Sequence, residues 1–246
     1  FASREDVQYI LDQANRVLSP KLDVSQIIGV YAGLRPLVAN KKSSTTTKLS
    51  REHTVDRPVP GFVSIAGGKY TTYRVMGKDA VDRAVIELRR ITQDSVTDKL
   101  PLVGADGYFA LEQQRDRIAQ ESGLDVETVT HLLNRYGSLI SEILEVITQE
   151  PKLAKKLDPE LPYIKAEIVY AATHEGARTV DDVISRRTRL AFEAQDHGVH
   201  LADEVGTLIA PVLAWSAKER KESVAAYEEL VDRELAALDE LLEANS

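Results

Sequence analysis

Cysteine is absent from all 246 residues. That excludes disulfides, thiolate catalysis and cysteine-ligated zinc or iron–sulfur sites, and it makes a reducing cytoplasm the natural compartment. Long apolar runs are lacking too: no stretch approaches the roughly 18 uninterrupted residues that a membrane span requires. The opening FASREDVQYI lacks the basic-then-apolar build of a secretory leader. A membrane is therefore expected to be touched only at its surface. Two common nucleotide fingerprints are also missing. No G-x-G-x-x-G opens a βαβ unit, and the glycine-rich AGGKYTTYR of residues 66–74 fails as a P-loop, because Val63 stands where the first glycine belongs and Tyr70 follows the lysine.

What is present is a globular composition, 43% hydrophobic, enough to bury a core in one or two domains. The net charge of −8 is unevenly spread. Residues 1–98 carry 15 Lys/Arg against 11 Asp/Glu, whereas residues 99–246 carry 16 against 28. A basic first part suits an anionic ligand; the acidic remainder argues against nucleic acid as a partner.

Along the chain, Ser3 and Asp6 form a capping box ahead of Val7, Ile10, Leu11, Ala14, Val17 and Leu18 at helical spacing, a helix that stops near Pro20. The apolar, β-rich stretch 26–38 reads as a buried strand, with Arg35 its one charged residue. A polar loop at 40–48 leads to strands expected at 49–55 and 61–66, then to a helix over about 71–92. Residues 93–107 have linker composition, and a domain boundary is placed at residue 98. Beyond it strand signals vanish, and helices are expected at 108–121, 126–136, 138–149, 163–175, 180–196, 199–214 and 216–245. The last opens on a Ser216/Glu219 capping box. It carries a stripe of Val224, Tyr227, Leu230, Val231, Leu235, Leu238, Leu241 and Leu242 that must be covered by this chain or by a partner. The fold class is thus an α+β N-terminal part with a few strands, followed by an all-α C-terminal domain, mostly α in sum.

Several residues carry chemistry. The glycine turn at 66–69 places a lysine and a helix N-terminus together, an arrangement suited to an anionic or carbonyl-bearing group; a plain strand-to-helix turn with an exposed lysine is the simpler reading. Arg35 needs a carboxylate or a phosphate. Alternation puts Arg51 and His53 on one strand face. His174, His197 and His200 lack metal-ligand spacing, and Glu175, Asp196, Asp203 and Glu204 read as solvated helix faces, so no metal is assigned. Arg178, Arg186, Arg187 and Arg189 form a basic patch in the acidic tail, with Asp182 and Arg186 spaced as a helix ion pair.

Taken together, YAGLRPL, LSREHTV and AGGKYTTYR, followed by HEGARTVDDVISRRTRL, resemble the flavin-dependent, quinone-linked glycerol-3-phosphate dehydrogenases of the FAD-dependent oxidoreductase superfamily. The resemblance runs over nearly the whole chain. It departs in one respect: the family's N-terminal G-x-G-x-x-G region for FAD is not in this sequence. The expectation is therefore a C-terminal portion, with residues 1–98 the end of the substrate- and flavin-contacting domain and residues 99–246 the helical domain.

The resemblance implies that Arg35 and Arg51 bind the phosphate of glycerol 3-phosphate and that Gly68, Lys69, Tyr70 and Thr71 contact FAD. The catalytic base is expected in the N-terminal FAD-binding part, with His53 as a local substitute. Quinone is the implied electron acceptor, and the implied location is cytoplasmic or peripheral on the inner membrane face. Alone, the chain is expected neither to retain FAD nor to turn over substrate. Alternatives left open are a helical interaction or dimerisation module, including a homodimer, an oxidase relative that uses oxygen, and a sugar-phosphate-binding protein of another family.

Overall fold

The computed structural model describes residues 1–34, 38, 52–89, 91–194 and 196–244. Among them the chain is mostly helical, with one two-stranded antiparallel sheet, in agreement with the expected fold class. Two compact units are formed: residues 1–32 together with 103–246, and residues 33–102.

In the smaller unit, β1 (His53–Val59) and β2 (Phe62–Gly67) pair as a hairpin, with His53 opposite Gly67 and Val59 opposite Phe62. Gly61 turns the chain at a φ of 81°, a left-handed value that glycine adopts without a steric clash. Helix α2 (Tyr73–Glu87) packs on the hairpin and is tied to it by two ion pairs. His53 Nε2 lies 2.8 Å from Asp79 Oδ2, and Arg57 Nε lies 2.6 Å from Glu87 Oε2. No residue of α2 is fully buried, and Val59, Phe62, Tyr70, Tyr73, Val81 and Ile86 are each more than half exposed. A hairpin and one helix bury too little apolar surface to make a strong core of their own.

In the larger unit, α1 (Arg4–Ala14) begins at the expected Ser3/Asp6 box, with Asp6 N–H donating to Ser3 Oγ at 3.2 Å and Ser3 N–H to Asp6 Oδ2 at 3.1 Å. The short helices α3 (Tyr108–Glu112) and α4 (Arg115–Ser122) precede α5 (Val126–Tyr136) and α6 (Ile140–Gln149). Helix α5 buries Val129, Leu132, Leu133 and Tyr136, and α6 buries Ile140, Ile143 and Ile147. Both sets follow the three-and-four spacing of a one-sided helix.

Helix α7 (Lys165–Thr173) differs, since six of its nine residues are buried around its whole circumference. It joins two cores. Ala166 and Tyr170 pack with α5 and α6; Ile168, Ala171 and Ala172 pack with α9 (Ala202–Leu213) and the middle of α10 (Ala217–Ala244). A third cluster seats α1 and Val24 on Ala237, Leu238 and Leu241 at the end of α10. The α10 stripe is thus covered by this chain itself.

Three expectations are corrected. Residues 27–34 form no strand: rather than pairing with a neighbour, Gly29 lies against the His197 ring, and Tyr31 meets Phe192 edge-on at 5.1 Å. The helix expected at 108–121 is broken, because the Gln114 side chain donates to the Ala110 carbonyl at 3.0 Å while its own N–H turns to Leu111. The helix expected at 180–196 is a π-helical turn over Asp182–Arg187 followed by the short α8 (Leu190–Glu193). Thr188 causes that break: its N–H and hydroxyl both donate to the Val183 carbonyl at 2.8 Å, taking over an acceptor that a continuing α-helix would use.

At one point two backbones touch. A Cβ on Gly137, whose φ is 58°, would stand 1.9 Å from the Gly104 carbonyl oxygen, which already accepts from Ser138 N–H at 2.8 Å. Gly137→Ala is therefore expected to destabilise the larger unit by more than about 1 kcal/mol, and the cavity-forming Ile143→Ala by about 2–5 kcal/mol. Thermal or denaturant unfolding measures both, and unchanged midpoints would contradict this packing.

Candidate functional site

The chain leaves β2 through two left-handed glycines, Gly67 at a φ of 77° and Gly68 at 84°. Space is short at both. A Cβ on Gly67 would lie 2.8 Å from the Glu52 carbonyl oxygen, and one on Gly68 would lie 2.6 Å from Met76 Sδ and 3.1 Å from His53 Cβ. The glycines thus let the turn close on its own hairpin and helix; that side of the turn is filled by protein.

The other side is open. Lys69, Tyr70 and Thr71 are exposed, Tyr70 to 89%. Lys69 N–H donates to Thr72 Oγ1 at 3.3 Å, and the hydroxyl donates back to the Lys69 carbonyl at 2.9 Å, closing a small ring. A single 3₁₀ turn over Tyr70–Thr72 then runs into α2. Among the described residues, the N–H groups of Tyr70 and Thr71 meet no acceptor and the Lys69 ammonium meets no carboxylate. Unpaired donors, a helix N-terminus and a cation on one exposed edge suit a carbonyl-bearing or anionic group. Gly68, Lys69, Tyr70 and Thr71 are thereby brought together as one contiguous edge. Arg35 and Arg51 lie outside the described residues. His53 is held by Asp79, which a strand-by-strand reading of the sequence could not show.

The tail motif HEGARTVDDVISRRTRL forms a built structure of its own. Arg186 reaches Asp181 at 2.5 Å and Asp182 at 3.3 Å, so the expected 182/186 pair is present and shared with a second carboxylate. Arg187 Nε donates to the Glu175 carbonyl at 2.8 Å, and Arg189 lies 3.3 Å from Glu193. Two of the four arginines of the patch, Arg186 and Arg189, are therefore paired with carboxylates from within the motif and its neighbour. Glu175 does not fit a solvated face. Its Oε2 is buried without a hydrogen-bond partner among the described residues, and burial raises its pKa against the opposing pull of Arg135 and Arg187. The other acids named with it are ion-paired on the surface: Asp203 with Arg220 at 2.7 Å, and Glu204 with Lys165.

Two further features escaped the sequence. His197 is only 4% exposed, takes a left-handed φ of 58°, and leaves Nε2 buried and unpaired among the described residues, at a penalty on the order of 1–3 kcal/mol. Its carbonyl accepts a 2.5 Å hydrogen bond from Tyr227 on α10. A cleft of about 790 Å³ between α6 and α7 is lined by Glu142, Glu145 and Glu150; three carboxylates would repel a phosphate ester.

Residues 95–220 match the family described as the C-terminal domain of alpha-glycerophosphate oxidase. The chain belongs to that family. Over 234 residues, 95% of this chain, it is 46% identical to Glycerol-3-phosphate dehydrogenase 2 of Mycobacterium tuberculosis, of which it covers 40%. It is 35% identical to the mitochondrial Glycerol-3-phosphate dehydrogenase of Mus musculus, over 90% of this chain and 31% of that protein. The mitochondrial Glycerol-3-phosphate dehydrogenase SDP6 of Arabidopsis thaliana is 32% identical, over 93% of this chain and 38% of that protein. The chain thus spans between 31% and 40% of the length of these relatives. The family match starts within the linker-like stretch, so the tail motif lies inside it and the glycine turn lies in the part matched by the relatives alone. Among the described residues no helix is long and apolar enough to cross a membrane.

Within the family-matched part, His200 is clasped between two carboxylates, with Nε2 2.9 Å from Asp158 Oδ2 and Nδ1 2.8 Å from Asp196 Oδ2. The bond to Asp158, aided by that to Asp196 and opposed by burial, raises the imidazole pKa above its ordinary 6.5. Folding therefore gains from the protonated clasp fully below about pH 6.5, and the gain disappears as pH rises through the raised value. Both aspartates titrate below their ordinary values, which fixes the acid limit of the clasp. The midpoint difference between the wild type and His200→Gln is expected to shrink from about pH 6 to about pH 8. A difference that is flat across this range would remove the clasp.

Proposed function

We propose that this chain is the C-terminal part of an FAD-dependent glycerol-3-phosphate dehydrogenase, which oxidises glycerol 3-phosphate to dihydroxyacetone phosphate and passes the electrons to quinone. The observation that carries this reading is the similarity to named glycerol-3-phosphate dehydrogenases over 90% or more of the chain, which takes in both units. The exposed edge at Lys69–Thr71 supports it, since its unpaired donors suit a flavin's carbonyl edge better than they suit a packed core.

In this reading Lys69 and the N–H groups of Tyr70 and Thr71 hold the electron-rich edge of FAD, with Gly67 and Gly68 shaping the turn that presents them. When bound, FAD supplies the two-electron acceptor for the hydride leaving C2 of the substrate. A cation beside that edge favours added negative charge there. Arg35 and Arg51 grip the phosphate dianion, for which guanidinium forks are suited, and so fix the orientation of C2. The proton of the C2 hydroxyl goes to a base expected in the N-terminal FAD-binding part, with His53, which Asp79 orients through Nε2 at 2.8 Å, as the local substitute. By itself the chain neither retains FAD nor turns over. The protein lies in the cytoplasm or against the inner membrane face, reaching quinone from the surface.

Oxygen as the acceptor is the second reading, favoured by the oxidase in the description of the matching family. Quinone reduction and hydrogen peroxide release, measured on the full-length polypeptide, separate the two. In that polypeptide Arg35→Ala is expected to lower kcat/KM at least about tenfold, since a charged hydrogen bond contributes about 1.5–3 kcal/mol. Lys69→Ala is expected to lower the flavin absorbance retained per protein. Unchanged kinetics in the first variant removes Arg35 from the site, and unchanged flavin content in the second removes Lys69 from it.

A further inference from the structure

We infer that His53, Asp79 and Met76 are positioning residues for the flavin: they brace, from behind, the glycine turn that presents Lys69, Tyr70 and Thr71. This rests on the proposed contact of those three residues with FAD and adds the groups that hold them in place.

Gly67 and Gly68 have no side chains with which to anchor themselves, and glycine loses more backbone freedom on ordering than any other residue. The turn must therefore take its position from what it lies against. On its filled side that is one strand residue and one face of α2. His53 starts β1 and stands opposite Gly67 in the sheet register. A Cβ on Gly68 would lie 3.1 Å from His53 Cβ and 2.6 Å from Met76 Sδ, so both side chains are packed directly under the turn. Met76 belongs to the first turn of α2 and Asp79 follows three residues later, which places the two on one face of the helix. His53 Nε2 lies 2.8 Å from Asp79 Oδ2. That bond closes a circuit from strand to turn to helix and back to strand.

A deeper core does not duplicate this brace. No residue of α2 is fully buried, so the angle between helix and hairpin depends on the polar ties between them. Among the described residues the other such ion pair joins Arg57 to Glu87 at 2.6 Å. It sits eight residues beyond Asp79, about 12 Å along the axis at the rise of an α-helix, and secures the far end. The near tie is the one beside the turn. With the His53 side chain only 19% exposed, it is partly shielded from competing water. The N–H groups of Tyr70 and Thr71 lie in the 3₁₀ turn that runs into α2, so they move with the start of that helix. Hydrogen bonds weaken steeply with misalignment, and a displaced donor edge holds its ligand less well.

The test uses the full-length polypeptide stripped of flavin, with FAD as the binding probe and no substrate present, so that proton transfer by His53 does not enter the readout. Asp79→Ala and Met76→Ala are each expected to raise the Kd of FAD about fivefold, the net worth of about one hydrogen bond. Asp79→Asn, whose amide oxygen still accepts from Nε2, is expected to recover most of the loss. Glu87→Gln cuts the far tie and serves as the structural control, with Kd expected to stay within about twofold. In the double variant Lys69→Ala/Asp79→Ala the brace has less left to position, so the rise in Kd is expected to fall well below the product of the two single effects. The midpoint potential of the bound flavin is expected to move in Asp79→Ala in the same direction as in Lys69→Ala. If Asp79→Ala does not fold, Met76→Ala decides alone. Lys69→Ala separates the two ideas. Unchanged Kd there removes the flavin contact and the brace with it. Raised Kd there overturns the brace alone if Kd is unchanged in Asp79→Ala and Met76→Ala, if Glu87→Gln loses as much as they do, or if the double variant is strictly multiplicative.

Discussion

One buried carboxylate organises the larger unit. Glu167 is fully buried at the first turn of α7, where it accepts from Ile164 N–H at 2.9 Å and from the Tyr136 hydroxyl at 3.1 Å, and pairs with His131 Nε2 at 2.9 Å. Arg135 stands 3.7 Å away and completes the charge balance. Three of these partners come from α5 and the fourth is the residue preceding α7, so the network fixes the start of the central helix against its neighbour in one register. An uncompensated charge at that depth would be severely destabilising; fully bonded, it specifies a single arrangement. Burial raises the Tyr136 hydroxyl well above its ordinary pKa, so it remains a donor to Glu167 at all physiological pH values.

From that fixed helix the rest of the unit follows by packing. The two faces of α7 carry two cores, and the second of these holds the π-helical turn, α9 and the middle of α10. The far end of α10 covers α1, while Tyr227 near its centre secures the backbone on which the His197 ring stands. A chain of contacts therefore runs from a buried ion pair to the irregular segment at residues 28–32. The smaller unit shows the opposite character: its hairpin and helix are held by surface ion pairs and expose most of their apolar side chains.

Much was legible along the chain. Three-and-four spacing placed α1, α5, α6, α9 and α10 to within a few residues, because those helices are one-sided, and at α1, α5 and α10 a capping side chain marked the start as well. The second strand and the turn at Gly68–Thr71 were also visible, since positive-φ glycines and alternation are local signals; the first strand, expected at 49–55, continues through Val59. The misreadings share one cause. At 27–34, at Gln114 and at Thr188, a side chain or ring took the place of a neighbouring backbone, and pattern analysis counts apolar positions without counting hydrogen bonds. For His197 no sequence signal existed: a histidine before a glycine in a polar stretch gives no hint of burial or of a left-handed φ.

The sequence by itself determined the one-sided helices, the absence of cysteine chemistry, and the family, because composition, helical spacing and motif order are properties of neighbours along the chain. Only the tertiary structure decided that residues 1–32 fold with the helical tail, that α7 is enclosed on all sides, and that Gly29 rests on His197. Those outcomes depend on groups far apart in sequence meeting in space, where desolvation and close packing act on whichever surfaces touch.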